Sequence, residues 1–243
     1  MRENFEHDFN LFRKDKGISG IAMGDYIDFQ NKAYDHLDIQ NRARVSGHIN
    51  PSIIEERPMN ITQLDVFSRL MIDRIIFLGT GIDDTVSNIV TAQLLFLASQ
   101  DSEKPIDLYI NSGGGSIVAG YSIFDTMDFI KPDVNTLVTG MAASMAFILS
   151  INGIKRSALK HSRLMLHQPL ATIGHSQATD IGIRYKQIQR FKEETNGIIA
   201  DKCGQSLEQV KIDAERDFWL TSFEAKEYGE KGAIDTIIGE EGN

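Results

Sequence analysis

From Arg74 onward the chain alternates short β-rich runs with longer helical patterns, and few architectures accommodate that rhythm. Ile75-Ile76-Phe77-Leu78 precedes an apolar helical stretch near Val86 to Ala98, and Ile106-Asp107-Leu108-Tyr109-Ile110 precedes another near Val118 to Ile130. Thr136-Leu137-Val138 then leads to a helix opening at Ser144, Leu164-Met165-Leu166 follows, and Ile234 to Ile238 reads as a last strand. Short connections between such units predict an α/β fold with a mostly parallel sheet. Strands this apolar are expected to be buried on both faces.

A chain of 243 residues, 42% hydrophobic and 24% charged, suffices for one compact domain with a sizeable core. Residues 1–49 depart from that composition. They are polar and weakly periodic, with glycines at positions 17, 20 and 24, and read as an extension or propeptide attached to a domain over 50–243. A formal charge of −9 argues against a duplex nucleic-acid binder, which needs a basic face to displace counterions. Cys203 is the single cysteine, so no intramolecular disulfide is possible, and no Cys/His group has zinc-ligand spacing. The start, Met1-Arg2-Glu3-Asn4-Phe5-Glu6-His7-Asp8, is charged where a secretory signal is apolar, and no apolar run is long enough to span a bilayer. The expected location is the cytoplasm, with no membrane partner.

Between Gln177 and Lys202, Ile181, Tyr185, Ile188, Thr195 and Ile199 recur at spacings that share one helical face, predicting a long amphipathic helix. Its polar face carries Arg184, Lys186, Arg190, Lys192, Glu193 and Glu194, which reads as a solvated surface, while its length suggests a role in assembly. Ser206 with Gln209, and Thr221 with Glu224, match the capping box and mark two further helix starts.

The chemistry concentrates in three segments. Asn111-Ser112-Gly113-Gly114-Gly115-Ser116 joins a strand to a helix without the pattern of a P-loop or a dinucleotide fingerprint. Consecutive glycines let backbone N–H groups turn into a cleft, as an oxyanion hole requires, although a plain tight turn needs the same residues. Ser144 follows Gly140-Met141-Ala142-Ala143, small residues that leave room beside its hydroxyl, and the Met145 N–H at the helix start is a second oxyanion donor. A serine in this place is equally an N-cap. His167 ends the run Arg163-Leu164-Met165-Leu166-His167-Gln168-Pro169, where it reads either as a general base for Ser144 or as a packed strand-end histidine. Spacing leaves Asp180, Asp213, Asp217 and Asp235 all open as the third member. The serine is not in a Gly-x-Ser-x-Gly elbow, which disfavours an ordinary α/β-hydrolase.

Taken together, Tyr109-Ile110-Asn111-Ser112, Gly114-Gly115, Tyr121 to Lys131, Met141 to Met145, Met165-Leu166-His167-Gln168-Pro169 and Glu215-Arg216-Asp217 resemble the ClpP family, proteolytic subunits of the ATP-dependent Clp protease. The similarity runs in order from about Asn50 to Ile238. It implies a crotonase-like α/β spiral with a protruding helical handle, here the helix after Gln177. It implies Ser144 as nucleophile, His167 as general base, Asp217 as the orienting carboxylate, and Gly115 and Met145 as oxyanion-hole donors. Arg216 matches a position of contact between rings, and Tyr109 and Phe129 match apolar surface positions where the partner ATPase docks. The implied partners are further copies of the chain in two stacked seven-membered rings, an AAA+ unfoldase, and unfolded polypeptides, with no metal or organic cofactor.

Three departures stand out against that resemblance. Gly113 replaces the usual proline before the two glycines, loosening the loop by about 1 kcal/mol of chain entropy. Leu170-Ala171-Thr172 replaces a glycine-containing stretch, and the interval from Ser144 to His167 is slightly short, which points to a trimmed loop near Asn152 to Lys155. The expectation is a serine endopeptidase. Its rivals are a catalytically silent ring subunit and a crotonase-type acyl-CoA enzyme.

Overall fold

The computed structural model describes residues 52–57, 60–172 and 177–239; the extension over 1–49 lies outside the described residues. Strands β1 (Ser52–Arg57) and β2 (Asn60–Asp65) pair with each other in a two-stranded sheet. Asp65 then caps helix α1 (Val66–Ile72), its carboxylate accepting the Ser68 N–H.

A seven-stranded sheet follows, and its βα units are the alternation read in the sequence. It contains β3 (Ile75–Leu78), β4 (Ile106–Ser112), β5 (Val134–Ala143), β6 (Arg156–Leu159), β7 (Arg163–Leu166), β8 (Phe218–Thr221) and β9 (Thr236–Ile238). The order is β3-β4-β5-β6-β9, with β7 pairing β5 and β8 pairing β7. Every pairing is parallel except β7 with β8. Crossovers are supplied by α2 (Asp84–Gln100), α3 (Ile117–Phe129) and α4 (Met145–Ser150). Asp83 and Ser116 cap α2 and α3, each side chain accepting the N–H three residues on.

Ten residues of β5 serve two neighbours. Thr136–Val138 lie between β4 and β6, whereas Met141–Ala143 lie against β7. Beyond this divergence the strand ends at Ala143, and Ser144 follows as the turn into the next helix.

Leu164, Met165 and Leu166 of β7 are all buried, as the sequence leads one to expect, but β3, β4 and most of β5 are buried on one face only, contrary to that expectation. Burial alternates along β4, with Ile106, Leu108, Ile110 and Ser112 inside and Asp107 and Tyr109 half-exposed. Among the described residues the helices cover one face, and Phe77, Tyr109 and Leu137 line up in register across the other. An Asn135 to Asp107 hydrogen bond of 2.9 Å occupies that open face too. The alternation Ile-Asp-Leu-Tyr-Ile-Asn-Ser is the period-2 pattern of a half-covered strand. On the covered face, Ile76, Leu78, Leu94, Ile106, Leu108, Ile110, Ile123, Phe147, Leu149 and Leu164 are all essentially inaccessible.

The long amphipathic helix forms as α5 (Ala178–Cys203), but its expected apolar face is only partly buried. Thr195 and Ile199 pack against the core with Asn196 and Cys203, while Ile181 and Tyr185 are exposed and Ile188 is half-buried. Residues 178–187 are exposed on every side among the described residues. The helix ends at Gly204 in the left-handed conformation (φ 66°), and the buried Arg156 guanidinium donates to the carbonyls of Lys202, Lys231 and Gly232 while pairing with Asp235 at 2.5 Å.

Helices α6 (Leu207–Asp213) and α7 (Ser222–Lys226) start where the capping signals place them. The Thr221/Glu224 box is reciprocal; at Ser206 only the serine half forms, because the Ser206 N–H donates to Gln205 Oε1 and the Gln209 amide turns to donate to Asp213. No described helix is long and apolar enough to cross a membrane.

Candidate active site

Three strand ends meet at one point. Parallel pairing of Ala143 with Met165 brings the end of β5 beside the end of β7, and the Ser144 N–H donates to the Met165 carbonyl at 2.8 Å. Antiparallel pairing of Leu166 with Phe218 makes His167 and Asp217 the next residues facing each other as β7 ends and β8 begins. The register alone therefore sets the histidine between the serine and the aspartate. His167 Nε2 lies 2.8 Å from Ser144 Oγ, and Nδ1 lies 3.0 Å from Asp217 Oδ1. A carboxylate can only accept, which places the imidazole proton on Nδ1 and leaves Nε2 free to take the serine proton.

The other acidic candidates are engaged elsewhere. Asp213 accepts from the Tyr228 hydroxyl at 2.9 Å and from Gln209, Asp235 holds Arg156, and Asp180 sits in the exposed first turn of α5. Cys203 is no rival nucleophile: it is fully inaccessible, and burial pushes its thiol up to about 12.

Ser144 occupies the N-cap position of α4 but does not cap it, since its side chain makes no cap hydrogen bond. Its backbone (φ 57°, ψ −123°) is that of the first central residue of a type II′ turn, where glycine is usual. This is the sharp strand-to-helix turn of a nucleophile elbow, formed here without the Gly-x-Ser-x-Gly pattern. Gly114 packs against this turn, where a side chain would not fit. A Cβ at Gly114 would lie 2.5 Å from the Ala143 carbonyl and 2.9 Å from Ser144 Cβ.

Gly115 is fixed from its other side. It forms a parallel bridge with Ile82, through Ile82 N–H to Gly114 O at 2.9 Å and Ser116 N–H to Ile82 O at 2.8 Å, so its own N–H points away from Ile82. Among the described residues neither the Gly115 nor the Met145 N–H has a hydrogen-bond partner. The Ser112 hydroxyl braces the loop, accepting from Gly114 N–H at 3.1 Å and donating to Thr80 O at 2.6 Å. Gly113, by contrast, is exposed and outside the left-handed region, with only Met141 Cε 3.7 Å from a Cβ placed there.

Beside the hydroxyl lies a pocket lined mainly by apolar side chains, among them Ile117, Met145, Ile148, Pro169, Thr195 and Ile199. Two of these come from α5. Sequence periodicity marked Thr195 and Ile199 as packing residues and carried no sign that they face the site. Ile82 and Thr80 were also missed, because backbone pairing leaves no side-chain signature.

Arg216 is exposed next to Asp217, and its guanidinium donates to the Glu215 carbonyl at 3.2 Å. Tyr109 stands on the open sheet face, and Phe129, the last residue of α3, is 81% exposed. Leu170, Ala171 and Thr172 leave the site as exposed, irregular chain. The turn between α4 and β6 is short, running from Ile151 to Lys155.

The Clp protease family model matches residues 58–241. An ATP-dependent Clp protease proteolytic subunit of Bacteroides fragilis is 57% identical over 195 residues, covering 79% of this chain and 92% of that one. Proteins of the same description from Bacteroides thetaiotaomicron and Porphyromonas gingivalis are each 50% identical, over 93% and 91% of this chain and 94% and 92% of theirs. These last two alignments run into the first 49 residues. On these matches the chain belongs to the Clp protease family and is a peptidase.

Proposed function

We propose that the chain is a serine endopeptidase, the proteolytic subunit of an ATP-dependent Clp protease, with Ser144, His167 and Asp217 as its catalytic triad. The observation that carries this is the continuous chain of contacts from Ser144 Oγ through His167 to Asp217, at 2.8 and 3.0 Å. In this reading His167 Nε2 accepts the hydroxyl proton as Ser144 Oγ attacks the scissile carbonyl, and returns it to the leaving amine. Asp217 holds the proton on Nδ1 and stabilises the imidazolium as it forms. The Gly115 and Met145 N–H groups receive the oxyanion; their lack of competing acceptors supports that role. A water then repeats the sequence on the acyl-enzyme.

The pocket beside Ser144 supports an apolar residue on the acyl side of the cut bond, since it would bury such a side chain against Ile117, Ile148 and Ile199. Stacked seven-membered rings joined through α5 give the exposed residues 178–187 a covering partner. Tyr109 and Phe129 supply apolar surface for docking an AAA+ unfoldase that delivers unfolded chains, and Arg216 lies where rings meet. The protein works in the cytoplasm, where Cys203 stays reduced, and residues 1–49 form a segment separate from the protease domain.

Ser144→Ala tests this reading. Hydrolysis of a short fluorogenic peptide and labelling by a fluorophosphonate should both vanish while sedimentation is unchanged; turnover at the wild-type rate would sink it.

A further inference from the structure

Asp217 is 61% exposed at its side chain, and among the described residues its carboxylate touches only His167. Apart from that one hydrogen bond, its direction is set by the course of its own backbone. That backbone, Ala214 to Asp217, lies between the end of α6 and the first paired residue of β8, Phe218, so the strand ladder holds it from one side only.

The other side is held by Gln168, which α5 in turn braces. The Gln168 N–H donates to the Ala214 carbonyl at 2.7 Å, and the Gln168 side-chain amide donates to the Glu215 carbonyl at 3.0 Å. The oxygen of that amide accepts from Lys192 Nζ at 2.8 Å, and the same ammonium reaches Glu215 Oε2 at 3.3 Å. Lys192 thus grips the residue after His167 and the residue two before Asp217. Its helix position also matters. Lys192, Thr195 and Ile199 follow one another at helical spacing on α5, and the latter two line the pocket at Ser144. An ion pair between a quarter-exposed lysine and a largely exposed glutamate contributes little to stability, so the arrangement is not explained as a staple of the fold.

We infer that Lys192 is a positioning residue for the triad, orienting Asp217 toward His167 through Gln168 and Glu215, so that the carboxylate is aimed only while this half of α5 is docked. The inference rests on the triad reading above. Loss of the ammonium frees the Gln168 amide and leaves the Glu215 carbonyl held only by the exposed Arg216 guanidinium among the described residues, and a displacement of about 1 Å at a catalytic group costs on the order of 10²-fold in rate.

The test uses the full chain and a double-mutant cycle. Lys192→Met should lower kcat on the fluorogenic peptide by about 10- to 100-fold with KM changed less than about 3-fold, and Lys192→Arg should restore most of the loss. If Lys192 acts through Asp217, adding Lys192→Met to Asp217→Asn should slow fluorophosphonate labelling by no more than about 2-fold beyond Asp217→Asn alone. Gln168→Ala, which removes the relay while leaving the sequence of α5 unchanged, should show the same lack of additivity. A kcat within about 2-fold of wild type for Lys192→Met, or losses that multiply in the double variant, overturns the inference. Those outcomes leave Asp217→Asn slow; an Asp217→Asn rate near wild type would instead bring down the triad reading itself.

Discussion

Gly115→Ala should inactivate the protein by displacing backbone rather than by removing any side chain. A Cβ at this position would lie 2.1 Å from the Ile82 carbonyl oxygen, 2.8 Å from its nitrogen and 2.9 Å from its carbonyl carbon. Ordinary contact begins at 3.4 Å, so the oxygen alone demands that the two segments part by roughly 1.3 Å. Both partners are main chain, and neither can swing aside. Separation on that scale breaks the two hydrogen bonds that tether the loop to Ile82, at about 1 kcal/mol each. Apparent Tm should then fall by about 4–8 °C in a chain of this size. The kinetic effect should be larger than the stability effect. Moving the Gly115 N–H away from the oxyanion amounts to deleting one donor, about 10²- to 10³-fold in kcat. Peptide hydrolysis measured alongside thermal unfolding, with Gly113→Ala as control, decides the matter. The control adds the same methyl group where only Met141 Cε waits, at 3.7 Å, and should stabilise by about 0.4–1 kcal/mol with activity retained. A kcat for Gly115→Ala within tenfold of wild type, or equal damage from both substitutions, would refute the reasoning.

Asp217→Asn keeps the shape at His167 but favours the wrong tautomer, and should slow peptide hydrolysis by about 10⁴-fold; a near-normal rate would reopen the assignment of the third residue. Ile183→Glu places a charge on a position 63% exposed in the single chain, so it should leave the subunit fold intact yet lower the sedimentation coefficient by disrupting assembly through α5. Unchanged sedimentation would exclude that face from assembly. Acid should weaken the start of α7. The Thr221 N–H and hydroxyl hold the Glu224 carboxyl below its ordinary 4.5, so the folded value lies under the unfolded one. The stabilisation is fully present above the unfolded value and is lost as pH falls through the folded one. Melting temperatures of wild type and Glu224→Gln should therefore differ at pH 7 and converge toward pH 3; a constant difference would contradict the linkage.

The sequence makes the βα alternation plain because β3, β4, β5 and β7 are apolar, bounded and separated by long helical periods. It conceals β6, which opens on the buried charge of Arg156, because the partner that makes this burial tolerable, Asp235, is 79 residues away. Strand β8 hides for a different reason: Phe218-Trp219-Leu220 has strand-forming residues, but the capping signal at Thr221 directs attention to the helix. The expected strand from Ile234 begins instead at Thr236, since Asp235 turns back to pair with Arg156. At the site, Ser144 and His167 stand out by local pattern, yet Asp217 was fixed only by resemblance. Its place follows from the register between β7 and β8, a long-range pairing with no local sequence code. The same limit applies to Ile82, whose contribution is made by main-chain atoms.

The backbone at Ser144 has a consequence for how such a chain ages in evolution. A side chain held at φ 57° and ψ −123° costs on the order of 1–3 kcal/mol, and glycine is the residue that would relieve it. The substitution that most directly ends nucleophilic attack is also one that relieves a strained backbone position. A duplicated copy released from cutting would find that change downhill and keep its ability to assemble. Glycine at this one position, with the pairing of β5, β7 and β8 preserved, would therefore mark a subunit retired from chemistry while still occupying a place among working neighbours.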